Sequence, residues 1–491
     1  MSGNGPHEFS RVELEARLSA CRGRTLGEVD AADVFFAVDP WRNPSHSPKI
    51  KGVAGDVIER SVMGYPSDSS QRPDLLVDGV EVELKTTALR AGKDGEGWEA
   101  KEPMSITAVS IPTIAAQTFE SSAFWHKARR MLLVYYEYGA ETAVASIEYA
   151  RFSIIDYQFH EFDAIERETL RQDWQIVHDF IADAQARLAG DALKERYRLL
   201  GRETRRHLML IDTSPKYPNP PRFRLKRATV TVIARKRLGQ RMLQTARPYT
   251  SFDEVDEELR GICARFQGMS LAQMADEIGY RPSPGKSTAE QVFTSLFGPG
   301  GKIGDIEVFA KAGVEVKTAK VLPSGRLDQD VKFKPVDLES YTDPEARFEE
   351  SELCTYFSEA QLVFMLFSIP RTQAPIDEQV FMGFKRLSVP EEVIDGEVRR
   401  CFESTLDLVA GGKLRFVPEL DRQGRPIINR SGTVKGAPNF PKSTDCQVFL
   451  KGSGADARAR RELLPGVPML KQYAWWGKRL AKQLLDEAPW V

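Results

Sequence analysis

The chain has 491 residues, 42% hydrophobic and 28% charged, with a net charge of −2. That length exceeds the roughly 250–300 residues at which single cores stop growing, so at least two domains are expected. No stretch supplies the ~20 apolar residues of a membrane span, and the N-terminal MSGNGPHEFSRVELEARL lacks an apolar signal core. A cytoplasmic protein with no membrane partner is therefore expected. The five cysteines (Cys21, Cys263, Cys354, Cys401, Cys446) are too few and too scattered for a disulfide framework or for paired zinc ligands, and read as reduced, mostly buried thiols.

In chain order, an amphipathic helix is predicted over Phe9 to Ala20 and a second helical pattern over Lys51 to Gly64. A short hairpin follows, RPDLLVDGVEVELKTT from Arg72 to Thr87, and then a polar, Gly-rich excursion from Arg90 to Lys101. Apolar strands are predicted at Ser105 to Ser110 and Met131 to Tyr136, separated by FESSAFWHKARR. A long helix centred on RQDWQIVHDFIADAQARL leads into a basic, Pro-rich stretch. From Lys194 to Arg241 there are 15 Lys and Arg against three acids, the kind of local excess that a phosphate backbone selects. Within it, Arg222, Arg224 and Lys226 are the expected phosphate contacts.

After a break around residues 240–262 the pattern starts again. KSTAEQVFTSLFG precedes GDIEVFAKAGVEVKTAK, FEESELCTYFSEAQLVFMLF echoes FESSAFWHKARRMLLVYY, and LKQYAWWGKRLAKQLL stands where LKRATVTVIARKRL stands in the first half. This order implies an internal duplication, with domains expected at 1–245 and 246–491. Each half mixes strands and helices, so the class is α/β. Trp174, Trp475 and Trp476 are placed in the cores, and the absence of a GxxxxGK[ST] motif argues against a nucleotide cofactor.

The hairpin carries the chemistry. Asp78-Gly79 between β-prone runs predicts a two-residue loop. That register opposes Val77 to Val80, Leu76 to Glu81, Leu75 to Val82 and Asp74 to Glu83. Opposed residues share a face, and alternation adds Glu81 and Lys85 to it while sending Val80, Val82 and Leu84 into a core. Like charges directly opposed destabilise a sheet unless something joins them. Oxygen ligands with no His or Cys cluster nearby point to Mg²⁺, which takes one or two carboxylates and fills its shell with water and phosphate oxygens. Asp74 and Glu83 are thus the candidate metal ligands, with Lys85 placed to orient or deprotonate an attacking water.

These residues resemble the MutH-type GATC endonucleases, a family that includes tandem-domain type II restriction enzymes. Lys51-Gly52-x-x-Gly55-x-x-x-Glu59 is similar to the family's helix bearing a DNA-contacting lysine and an accessory glutamate. Asp74 with Glu83-Leu84-Lys85-Thr86 resembles its catalytic core, and Phe119-Glu120-Ser121-Ser122 followed by His126-Lys127 the segment that supplies a further catalytic lysine, Lys127. Asp173-Trp174 and Phe223 to Arg227 match in kind and order, while Ser214-Pro215-Lys216 stands in place of the base-reading Arg-Pro-Lys, leaving Pro215 and Lys216 as candidate DNA contacts.

The resemblance implies two tandem restriction-endonuclease-like (PD-(D/E)xK) domains, each a mixed sheet flanked by helices. It further implies Mg²⁺-dependent hydrolysis of double-stranded DNA at GATC or a related short site, and the duplication adds the expectation of two DNA sites per functional complex. The alternatives are a mismatch-repair type nicking enzyme and a non-catalytic DNA-binding regulator. In the second copy Asp305, Glu315 and Lys317 correspond to the triad, but Thr294 stands where Glu59 does and Ser358 where Lys127 does. A degenerate copy that binds DNA without cutting is expected.

Overall fold

The computed structural model describes residues 7–38, 52–65, 72–92, 97–140, 144–281, 287–298, 300–454 and 456–491. It divides into two compact units: the first lies within Met1–Ala140, Val144–Glu254 and Asp305–Gly313, the second within Val255–Gly304 and Val314–Val491. The boundary expected at 245/246 therefore leaves out two segments, 246–254 and 305–313, that cluster with the first unit. None of the described helices is long and apolar enough to cross a membrane.

The strands of the first unit are β1 His7–Phe9, β2 Leu75–Val77, β3 Val80–Ala91, β4 Trp98–Ala100, β5 Met104–Ala108, β6 Met131–Glu137, β7 Ile154–His160, β8 Ile211–Asp212 and β9 Arg222–Leu225. A mixed sheet of order β1-β2-β3-β6-β7, with β4 on the far end of β3, forms its centre. β3 runs parallel to β6 and antiparallel to β2. A smaller antiparallel sheet has the order β5-β9-β8.

Phe9, expected in a helix, ends β1; Ser10 then caps the helix Arg11–Cys21 by accepting from the Glu13 amide. The hairpin has the expected register, Leu75↔Val82, Leu76↔Glu81 and Val77↔Val80. Asp78 and Gly79 both take positive φ (48° and 79°), as a tight primed turn requires. Val82 and Leu84 enter the core with Leu132 and Val134. Val80, expected there too, is 40% exposed, because the strand end projects beyond the packed layer. The excursion after Arg90 returns as β4, pairing Leu89 with Ala100 and Ala91 with Trp98.

The second unit contains β10 Val314–Val321, β11 Val331–Pro335, β12 Gln361–Ser368, β13 Val380–Ser388, β14 Phe416–Pro418, β15 Gly436–Pro438, β16 Val448–Gly452, β17 Arg461–Leu464, β18 Val467–Met469 and β19 Gln472–Trp476. β10 is parallel to β12, which is antiparallel to β13, as β3, β6 and β7 are in the first unit. The antiparallel sheet β11-β19-β16 likewise repeats the connectivity of β5-β9-β8. A helix follows the middle strand in both, Arg227–Arg237 after β9 and Lys478–Glu487 after β19. Trp174 and Trp476 are core residues as expected, whereas Trp475 is half-buried and donates to the Lys451 carbonyl.

Candidate active site

β3 positions the central carboxylate. Glu83 is fully buried, its amide donating to the Arg130 carbonyl. Lys85, two positions along on the same face, puts Nζ 2.5 Å from Glu83 Oε1. Lys127 reaches the same carboxylate from the last turn of the helix Ala123–Ala128, with Nζ 3.2 Å from each oxygen. It is aligned only with Oε1, so Glu83 Oε2, buried, accepts no hydrogen bond among the described residues. Asp74 lies just before β2; its Oδ2 accepts from the Leu84 amide at 2.9 Å, which leaves Oδ1 on the other side of the carboxylate. Burial pushes the Glu83 carboxyl above its ordinary range; Asp74 reinforces that shift, and Lys85 and Lys127 oppose it.

This donor set suits a hard divalent cation. A buried carboxylate oxygen that accepts no hydrogen bond, although two ammonium groups stand close by, and that has a second carboxylate beside it, is suited to a further cationic partner. Among the described residues there is no group of three or more His, Cys, Asp or Glu side chains that could hold a metal. Magnesium needs only one or two carboxylates, the remainder of its shell being water and substrate oxygens.

The other expected site residues divide. Glu81 shares the Glu83 face but is held by Arg129 at 2.8 Å and His126 at 3.3 Å, so it does not face the centre as a spare ligand. Glu59 lies half-buried in the π-helical turn Ile58–Met63, its carbonyl accepting from Gly64 and Tyr65. The preceding helix Val53–Val57 packs on β3, where a Cβ on Gly55 would stand 3.5 Å from Thr86 Oγ1. Lys51 lies outside the described residues.

In the basic stretch, Pro215 and Lys216 are exposed in the loop 213–221 between β8 and β9, and Arg222 is exposed at the start of β9. Arg224 is committed to a bidentate pair with Asp212, both contacts at 2.8 Å. Lys226 is a correction. It is 1% exposed and its ammonium donates to the Leu208 carbonyl at 2.6 Å, so it serves the interior and is not placed to meet a phosphate.

Sequence reasoning left Asp173 without a role. It is buried in the long helix Ala164–Arg187 and accepts from the amides of Met209, Leu210 and Ile211, anchoring the strand that leads into the 213–221 loop. Burial pushes its carboxyl up to about 6 against these amides and Lys226. An acid facing the core of a long helix was the available signal.

In the second unit Glu315 and Lys317 recur on β10, 2.8 Å apart, with Lys317 over the Phe333 ring. Two differences separate this pair from its counterpart. The hairpin that opposes an acid to Glu83 is absent, since β10 is entered from the helix Glu307–Ala312 through Gly313, and Asp305 clusters with the first unit. The expected triad of Asp305, Glu315 and Lys317 is therefore not built on one hairpin. The residue meeting Glu315 from the neighbouring helix is Tyr356 and not Ser358, because the Ser351 cap sets that helix as Ser122 sets the first. Burial raises the Glu315 carboxyl, but Lys317, Tyr356 and Lys334 outweigh it and hold it below the usual range, opposite to Glu83. Thr294 is buried, its hydroxyl spent on the Gln291 and Gly301 carbonyls.

The family model described as DNA mismatch repair enzyme MutH matches residues 63–173, a span that holds Asp74, Glu83, Lys85 and Lys127. The type II restriction enzyme Sau3AI of Staphylococcus aureus is 24% identical over 391 residues, covering 75% of this chain and 76% of that protein. The first unit thus carries a MutH-family domain, and the chain is a distant homologue of Sau3AI over most of its length.

Proposed function

We propose that this protein is a type II site-specific deoxyribonuclease that hydrolyses double-stranded DNA with Mg²⁺, at GATC or a related short site, using the first unit to cut. The observation that carries this reading is the buried Glu83 carboxylate, one oxygen of it without a donor, gathered with Asp74, Lys85 and Lys127. Asp74 and Glu83 would hold the ion. When bound, magnesium polarises the scissile phosphate and lowers the pKa of a bound water. Lys85, 23% exposed beside Glu83, orients that water and offsets charge developing on the phosphate. Lys127, almost enclosed, acts on Glu83 by keeping it ionised. In this reading Glu59 serves as an accessory acid, and Lys51, Pro215, Lys216 and Arg222 as DNA contacts.

The second unit repeats the first unit's strand connectivity without its hairpin acid, which supports a tandem MutH-like arrangement in which the second copy binds DNA and does not cut. Linked binding raises affinity because the second event is intramolecular, and it fits a complex that engages two DNA sites. Digestion of plasmid DNA in Mg²⁺, with sequencing of the ends, tests the whole reading. Linear product with one recurrent end sequence is expected; no cleavage would leave a DNA-binding regulator. Nicked circles alone would favour the repair-type reading, to which the mismatch-repair family match gives support.

A further inference from the structure

Between the long helix and the final sheet the two units differ. In the first, this stretch is helical (Gly190–Arg198 and Leu200–Thr204). In the second, between the helix Arg399–Ala410 and β16, it is a meander whose first pass, β14, pairs with its last, β15, while the intervening 426–429 is tied on by the single bridges Leu420–Pro426 and Ile428–Val434. Main-chain bonds from Glu419 to Lys435 and from Lys435 to Ile427 join the passes.

Two tight turns end the meander, and they share one pattern. Asp421-Arg422-Gln423-Gly424 and Asn429-Arg430-Ser431-Gly432 each start with an Asx residue, follow it with arginine, and close on a glycine at positive φ (78° and 80°). Asp421 locks the first by accepting from the Gln423 and Arg425 amides, and Asn429 and Ser431 lock the second through Thr433. The arginine is the member of each turn left over.

The charge is unbalanced. Lys413, Arg425 and Lys435 are neutralised by Asp407, Asp421 and Glu419. Arg415, Arg422 and Arg430 are exposed, and their side chains have no hydrogen bond or ion pair among the described residues. Leu420 and Ile428, beside the turns, are 54% and 57% exposed. Arg430 also lines an open cavity with Arg458 and Asp456, which pair at 4.0 Å and belong to the long β16–β19 loop that carries the β17-β18 hairpin. That loop has the place in its sheet that 213–221, with Lys216, has in the first unit.

From these observations we propose that the meander 413–439 is a DNA-reading arm, which inserts the Arg422 and Arg430 turns into a duplex groove while Arg415 and Arg458 meet the backbone. The proposal rests on the reading that the second unit binds DNA, and names the surface it uses. A ribbon of strands fits the major groove, where arginine can pair with guanine, and exposed arginines are suited to phosphate. Rigid turns present both side chains at little entropic cost.

The test uses the full chain carrying Glu83→Gln, titrated with a short duplex spanning the cut site, the number of duplexes bound per chain being read by analytical ultracentrifugation. The parent is expected to bind two, the Arg422→Glu/Arg430→Glu variant one, and Arg422→Lys/Arg430→Lys to recover the second at low salt. If parent and charge-reversed variant both bind two, the arm is not a DNA contact, although the second unit still binds DNA. A parent that binds one would refute the reading beneath the proposal, and the arm with it.

Discussion

Lys127→Met isolates the part of the site that is electrostatic. The substitution keeps an unbranched stem in a nearly enclosed position and removes an ammonium 3.2 Å from a fully buried carboxylate. At an effective dielectric of about 20, that separation corresponds to about 5 kcal/mol of attraction as an upper bound. Opposite charges at this range shift a carboxyl by roughly 1–3 pKa units. Glu83, already raised by burial, should therefore move up by that amount. A cation must displace the Glu83 proton, so its affinity falls about tenfold per pH unit below that pKa. The variant should bind Mn²⁺ more weakly than wild type at the acid end, and more tightly at the alkaline end, where the carboxylate is ionised and no ammonium repels the ion. Isothermal titration with Mn²⁺ across a pH series, without DNA, would reveal two crossing curves. Parallel curves with an unshifted midpoint would show that Lys127 does not act through the charge of Glu83.

Alanine at Lys216 and Arg222 together should lower the slope of log affinity against log salt by about 1.8, since each lost phosphate contact removes about 0.9; Lys226→Met should leave the slope alone and lower the melting temperature, because that ammonium is interior. Burial lowers the His160 imidazole to about 4. The neutral ring is thus preferred in the fold, and stability complete above the unfolded value of 6.5 is lost as pH falls from there toward 4, at no more than about 1.4 kcal/mol per pH unit. Denaturant titrations should show a shallower acid decline in His160→Gln. In the second unit, Lys317→Ala and Tyr356→Phe should leave double-strand cleavage of plasmid intact; conversion to a nickase would make that copy a second blade.

The hairpin was legible because its information is local: a two-residue turn fixes the register, and the register fixes which side chains share a face with Glu83. Lys127 was reachable only by resemblance, since its proximity to Glu83 depends on β6 lying parallel to β3, a pairing distant in sequence. Lys226 misled for a related reason. A lysine in a basic run reads as solvated, and only the fold supplies the Leu208 carbonyl that draws it inside. The repeated strand connectivity was visible as a repeated order of patterns, yet the position matching Lys127 was misplaced. Aligning the apolar strands selects Ser358, whereas the helix caps at Ser122 and Ser351 select Tyr356, two extra residues lying between the cap and the strand position that pairs with the glutamate. The meander had no apolar period to announce it, its strands being short and exposed.

The central claim, that the Asp74, Glu83, Lys85 and Lys127 cluster cuts DNA, is tested most directly by comparing Glu83→Gln and Lys85→Ala with wild type in Mg²⁺-dependent plasmid cleavage and, in parallel, in duplex binding. Both variants should lose cleavage while binding stays within a few-fold of wild type, because base and phosphate contacts lie elsewhere. Turnover retained by either one would contradict the account.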